Sequence, residues 1–292
     1  MLSSEDGAYD PRMGRIENAS TQANAELVAR LWHEARHKLA RRRRPLLWGI
    51  SGLQGCGKST LAAALVAMAR ANGVPAIALS LDDFYLGRRE RLALARSTHP
   101  LLRTRGVPGT HDLDLLNATL VALACASSRR PARVPRFDKA RDTRRPPSRW
   151  TRVVEAPRLI VLEGWCIGLR PQAPAALLLP VNALERAEDA DGRWRRTANR
   201  ALRDYRSLWQ RLDRLVLLKA PGWEIVRTWR GEAENKLRQA RRSMAHTLDA
   251  AALDRFLQHY ERLSRHALRT LPRWADLTIA LDAQRRPRDI AG

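Results

Sequence analysis

Lysine is scarce in this chain. Of its 53 basic residues only five are lysines: Lys38, Lys58, Lys139, Lys219 and Lys236. Cysteine is scarcer, with Cys56, Cys125 and Cys166 standing far apart. That spacing excludes a disulfide framework or a cysteine zinc site. No apolar run approaches the roughly 18 residues of a spanning helix. The first 25 residues carry Glu5, Asp6, Asp10 and Glu17 and no apolar stretch of the kind a secretory signal needs. There is no internal repeat. These absences describe a chain expected to be soluble, reduced and cytoplasmic, with no membrane partner.

Acidic residues are also outnumbered, 30 against 53, giving a net charge of +23 over 292 residues. Such a balance can mark a nucleic-acid partner. Here the excess is nearly all arginine, in a chain also rich in Ala and Leu, with nine Trp against three Phe. That bias fits GC-rich codon usage. Apart from Arg41–Arg44 and the stretch from Arg129 to Arg158 the arginines are diffuse, and no aromatic–basic patch suited to stacking single strands is visible. A nucleic-acid partner is therefore not expected, although an ATP-binding, nucleic-acid-associated protein remains the rival from another class.

What is present is a globular composition, 45% hydrophobic. Residues 1–19 are polar and read as a flexible tail. Apolar residues at helical spacing (Leu27, Val28, Leu31, Trp32, Ala35, Leu39) predict an amphipathic helix over 20–44, with Arg41–Arg44 suited to its C-terminal dipole. Short apolar runs then alternate with helical patterns. The runs are Leu46–Ile50, Val74–Leu81, Leu159–Leu162, Leu215–Leu218 and Leu277–Leu281. The helical patterns lie near 58–71, 113–126, 192–212, 222–242 and 249–268, and the Arg- and Pro-rich stretch 127–157 reads as a loop. This alternation predicts a single α/β domain over 20–292: an open parallel sheet of about five strands, with helices on both faces and an N-terminal helix.

After the first run comes Gly52-Leu53-Gln54-Gly55-Cys56-Gly57-Lys58-Ser59, followed by Thr60. The pattern is G-x-x-x-x-G-K-[ST], in the strand-to-helix setting it requires. Its glycines let backbone N–H groups turn toward phosphate oxygens, and the helix that follows presents its N-terminus to the anion. Lys58 reaches the β- and γ-phosphates of ATP, and the Ser59 hydroxyl can ligate Mg²⁺. Cys56, among those amides, is expected to have a lowered thiol pKa. The guanine-reading Asn-Lys-x-Asp pattern is absent, and no strand ends in Asp-Glu as in many motor ATPases. The second run ends in Asp82-Asp83-Phe84-Tyr85, and the third in Glu163-Gly164. In an open parallel sheet, ligands sit beyond the carboxyl ends of strands. One of Asp82 and Asp83 can accept the proton of an attacking hydroxyl while the other holds Mg²⁺ or its waters, and one of the pair is equally suited to cap a helix. Glu163 is a candidate metal or substrate ligand, or a structural hydrogen-bond acceptor.

Gly52–Ser59, Leu81–Tyr85, Arg105–Asp112, Pro135–Lys139 and Leu162–Trp165 occur in this order. Together they resemble the D-glycerate 3-kinase family, itself similar to the uridine kinase, phosphoribulokinase and pantothenate kinase group. The resemblance spans roughly residues 45–283. It implies transfer of a phosphoryl group from ATP to D-glycerate, giving 3-phosphoglycerate. Another acceptor, a nucleoside or pantothenate, is the alternative within the same fold. By this resemblance Asp82 is the general base. The segments carrying Arg105, His111, Asp112 and Arg136 line the acceptor side, where arginine or histidine would meet the carboxylate; His111 could instead serve the start of a helix at Asp112. The helix over 222–242 resembles a lid whose arginines, Arg230 and Arg238 foremost, close on the phosphates. A solvated helix face is the plainer account of the same charges.

Overall fold

The computed structural model describes residues 11–240 and 249–292. Helix α1 (Pro11–Ala40) leads into β1 (Leu46–Gly52), α2 (Lys58–Ala71) and β2 (Ala76–Ser80). Helices α3 (Arg88–Ser97) and α4 (Leu113–Ala124) follow, then two small hairpins: β3 (Ala132–Val134) pairs with β6 (Thr151–Val153), and β4 (Phe137–Asp138) with β5 (Thr143–Arg144). The chain returns to the main sheet in β7 (Leu159–Gly164) and, after α5 (Ala183–Glu188), α6 (Arg193–Ala201) and α7 (Arg206–Trp209), in β8 (Arg214–Lys219). Helices α8 (Ile225–Ala240) and α9 (Ala250–Thr270) precede β9 (Leu277–Leu281) and β10 (Pro287–Ala291). Among the described residues no helix is long and apolar enough to cross a membrane.

The main sheet has the order β10-β9-β8-β1-β7-β2, parallel except for β10. Each of the five expected apolar runs is one of its parallel strands. β1, buried at all seven positions, lies between β7 and β8. Successive side chains point to opposite faces. Leu46, Trp48 and Ile50 of β1, with Leu159 and Val161 of β7 and Val216 and Leu218 of β8, therefore face a core shared with α1, α2 and α8. Leu47, Ile160, Leu162, Leu215 and Leu217 face a second core against α4 and α7. Helix α9 joins the two, with Leu253 and Leu257 in the first and Tyr260, Leu263 and Ala267 in the second. The chain passes from β7, on one side of β1, to β8 on the other. That reversal opens a crevice at the carboxyl end of β1, where the phosphate loop emerges.

Five expectations change. The first helix begins at Pro11, not near 20, because proline suits a first helical position and one interior glycine, Gly14, does not stop a helix already nucleated. It ends at Ala40, and Arg42 and Arg44 ion-pair with the buried carboxylate of Asp213 rather than serving the helix dipole. The pattern 192–212 divides into α6 and α7. The stretch 127–157 holds the two hairpins. The sixth strand, Pro287–Ala291, escapes the apolar pattern because an edge strand tolerates proline and charge. Residues 1–10 of the expected tail, and residues 241–248, which include the end of the helix expected to be a lid, lie outside the described residues.

Some of the arginine excess is structural. Arg91, Arg195 and Arg262 are buried. Arg91 donates to the carbonyls of Leu86, Arg103 and Asp142, Arg195 to those of Leu177, Leu178 and Asp189, and Arg262 to those of Ala176 and Leu179. A planar fork of five donors can tie down irregular backbone in this way where lysine could not.

Candidate active site

The phosphate loop owes its shape to backbone conformations that side chains resist. Gly55 and Gly57 take φ values of 82° and 92°. A Cβ on Gly55 would lie 2.7 Å from Trp229 Cβ, whereas one on Gly57 would meet nothing within 4 Å, so the loop is tight behind and open in front. Gly57 caps α2 without a side-chain bond, leaving the first amides of that helix unclaimed by a cap. From behind, Arg285 Nε donates to Gly55 O (2.6 Å) and its Nη2 to Glu232 Oε2 (2.6 Å), joining the β9–β10 turn and α8 to the loop. Of the other loop residues, Leu53 is in the core, the Gln54 amide is buried without a partner among the described residues, and Thr60 is exposed.

Cys56 departs from expectation. It is 2% exposed, and burial raises its thiol pKa more than Lys58 and nearby amides lower it. Being next to an anion site does not activate a thiol that lies inside the core. Lys58 is the opposite case. Burial works against its charge, but Cys56, Glu163 and Asp82 outweigh it, and the ammonium is held protonated above its ordinary pKa. Among the described residues its Nζ makes one long contact, to Leu53 O (3.5 Å).

Glu163 ends β7 beside the loop and is 5% exposed. Ser59 Oγ donates to its Oε1 (2.9 Å), and its Oε2 is buried without a partner among the described residues. A hydroxyl and a half-satisfied buried carboxylate at a phosphate loop form an oxygen donor set that fits Mg²⁺.

Asp82 and Asp83 lie in a single helical turn, Leu81–Phe84, at the carboxyl end of β2, yet they have different surroundings. Asp82 Oδ1 accepts from Tyr85 Oη (2.8 Å) and Oδ2 from Lys139 Nζ (2.7 Å). Burial pushes its pKa up, but the charge and hydrogen bond of Lys139, with Lys58 and Tyr85, hold it well below the usual carboxylate range. Asp83 accepts from the backbone N–H of Phe137 (3.0 Å) and from Arg136 Nη1 (2.7 Å), and Arg136 Nε also donates to Thr151 Oγ1 (2.9 Å). Both oxygens of Asp83 are thus engaged in holding the 135–139 segment against β2. The described bonds of Asp83 go to that segment rather than to Ser59 or Glu163, with which it was expected to form a metal set, and Arg136 is paired with a protein carboxylate.

On the acceptor side, Arg105 ion-pairs with Asp142 and lies 5.7 Å from the centre of the Phe137 ring. His111 is buried and stacks on Tyr85 with ring centres 4.7 Å apart. Its Nδ1 meets Tyr205 Oη at 2.6 Å. Burial lowers its pKa to about 4 against the opposing pull of Asp82, so the imidazole is neutral at physiological pH. Asp112, not His111, caps α4: its Oδ1 accepts from Leu115 N (2.9 Å) and its Oδ2 from Arg144 Nη2 (2.9 Å). Asp112 therefore anchors two segments and is less suited to meeting a substrate. In α8, Arg230 lies in the electrostatic field of Lys58 and Tyr260, and Arg227 is paired with Asp254 of α9 (2.6 Å). The side chain of Arg238 lies outside the described residues. Sequence reasoning missed Tyr205, Tyr260 and Arg285. Their signals were a tyrosine within a helical pattern, another on the face of α9, and an arginine in a turn at φ 65°; none of these points to a phosphate loop.

Comparisons with known proteins bear on the family and the fold. No family model matches the chain. The uncharacterized kinase mug58 of Schizosaccharomyces pombe is 34% identical over 204 residues, covering 67% of this chain and 72% of that one. The chloroplastic D-glycerate 3-kinase of Arabidopsis thaliana is 32% identical over 203 residues, 67% of this chain but only 42% of the plant protein. In structure, D-glycerate 3-kinase from Cryptococcus neoformans var. grubii superposes with a TM-score of 0.72 at 24% identity, covering 91% of this chain and 99% of that one, a likeness of fold. A relative matched over two thirds of both chains, a second matched over an equal stretch and a shared architecture lead to one conclusion: the chain belongs to the D-glycerate 3-kinase family of P-loop kinases.

Proposed function

We propose that this protein transfers the γ-phosphoryl group of ATP to a hydroxyl of D-glycerate, giving 3-phosphoglycerate and ADP. The observation that carries the reading is Asp82, a carboxylate kept ionised by Lys139 at the carboxyl end of β2 and within the electrostatic field of Lys58. The Gly52–Ser59 amides and the uncapped start of α2 cradle the phosphates. Lys58 offsets charge on the β- and γ-oxygens, and Arg230 adds a second positive group as charge spreads in the transition state. Ser59 and Glu163 would hold Mg²⁺, while the described bonds of Asp83 go to Arg136 and Phe137. Mg²⁺ bound there would neutralise charge on the phosphate oxygens. Asp82 orients the attacking hydroxyl and takes its proton. Arg105 and His111 receive the small carboxylate, while Arg136 and Asp112 keep the walls of that site in place.

Release of ADP, measured by coupled assay against D-glycerate, other hydroxy acids, nucleosides and pantothenate, tests the reading. D-glycerate should give the highest kcat/KM. A nucleoside or pantothenate turned over faster would replace the acceptor and keep the kinase. No ADP release with any of them, or release that depends on added RNA alone, would overturn the assignment.

Lys139→Met makes a separate prediction about pH. Asp82 has a depressed pKa, so in the wild type it protonates only below the usual carboxylate range. Without Lys139 the upward push of burial prevails and the pKa rises. The acid limb of the kcat/KM profile should then move to higher pH by about one unit or more. A limb that stays in place would mean that Asp82 does not set it.

A further inference from the structure

We propose that Tyr205 locks His111 in the neutral tautomer that carries its proton on Nε2, so that His111 offers an N–H donor to an oxygen of the acceptor substrate beside Asp82. The proposal rests on the kinase reading above and adds a positioning residue, Tyr205, that lies 94 positions from the histidine.

The argument is a count of buried donors and acceptors. Tyr205 is 1% exposed and His111 6%. The phenol oxygen has two described contacts: the N–H of Gly109 donates to it (3.4 Å), and His111 Nδ1 lies at 2.6 Å. The Gly109 bond uses a lone pair of the oxygen and leaves its single proton to be placed. If that proton goes to Nδ1, the imidazole carries its own proton on Nε2, and one buried polar atom, Nε2–H, has no partner among the described residues. If instead Nδ1–H donates to the phenol, two groups are orphaned: the phenol proton, with no acceptor among the described residues, and the Nε2 lone pair. Each buried orphan costs free energy, so the arrangement with one is favoured. The 2.6 Å separation also suits an O–H donor.

The surviving orphan is then a donor on a ring that lies in the electrostatic field of a carboxylate. The ring stacks on Tyr85, whose hydroxyl donates to Asp82, and His111 lies in the field of that carboxylate. A protonated imidazole there would form an ion pair with Asp82 and cancel the charge that receives the substrate proton. A neutral N–H can bond a substrate oxygen and leave Asp82 its charge. Burial, which disfavours the imidazolium, suits this use.

The tautomer can be observed without substrate. Long-range ¹H–¹⁵N correlation on histidine-labelled full-length protein, with His111 assigned by its absence in His111→Gln, should show protonated Nε2 and bare Nδ1. Tyr205→Phe should give a mixture or the opposite tautomer, lower kcat/KM roughly 10-fold and leave MgATP affinity unchanged. His111→Gln, whose amide nitrogen falls near the site of Nε2, should retain at least ten times more activity than His111→Asn, whose amide falls near Nδ1. A proton found on Nδ1 in the wild type would overturn the proposal whatever the substrate. So would equal activity of the two His111 variants. An Nε2–H histidine in a protein that ignores D-glycerate would leave the tautomer standing and overturn the acceptor alone.

Discussion

Lys58→Ala lowers kcat by about 10³-fold or more and leaves the protein folded. The fold is insensitive because the lysine does little for it: its one described hydrogen bond is the 3.5 Å contact to Leu53 O. The loop is held by other means, the core packing of Leu53 and Cys56 and the bond from Arg285 to Gly55 O. The rate is sensitive because Lys58 is the charge that the loop brings to the transferred phosphate, and its protonated form is stabilised by Glu163 and Asp82 around it. Arg230 remains in the variant but approaches from α8, and one cation does not do the work of two on a group whose charge is spreading. Steady-state kinetics at saturating MgATP, beside a thermal melt, are the measurement. More than about a tenth of wild-type activity in a folded variant would detach the loop from catalysis.

Asp82→Asn lowers kcat by roughly 10²- to 10⁴-fold, with MgATP affinity nearly unchanged. The amide keeps the shape and can still accept from Tyr85, but it cannot take a proton at neutral pH and no longer ion-pairs with Lys139. Asp83→Asn should behave differently. Asp83 binds Arg136 and the Phe137 amide, so its loss should loosen the acceptor segment and raise KM for the acceptor without changing the Mg²⁺ requirement. Calorimetric MgATP titration with kinetics on both variants separates them. Lost MgATP affinity in Asp82→Asn with kcat preserved would assign that carboxylate to the nucleotide side and leave the base unidentified.

The five parallel strands and the phosphate loop were legible in the sequence for a physical reason. A strand buried on both faces must be apolar without interruption, as Leu46–Ile50 and Leu159–Leu162 are, and a backbone that cradles phosphate needs glycine at fixed spacing. Asp82 and Glu163 were legible because the carboxyl ends of such strands share one crevice. These signals are local: each can be read within about ten residues of chain.

The division of labour between Asp82 and Asp83 was not local. Two adjacent aspartates look alike in sequence, and only the fold shows Lys139 and Tyr85 against one and Arg136 and the Phe137 amide against the other. Cys56 misled for the same reason: an anion-binding loop lowers a thiol pKa, burial raises it, and burial depth is a tertiary property. Arg285 reaches the loop across 230 positions and Tyr205 reaches His111 across 94. The sequence alone determined the five parallel strands, the glycine-rich loop after the first of them and which carboxylates stand at the rim, because those features follow from hydrophobic burial and backbone geometry along short stretches. Tertiary structure alone decided which carboxylate is paired with the exposed Lys139 and which arginines are committed to the scaffold, because hydrogen bonds and charges act through space between groups that the chain order keeps far apart.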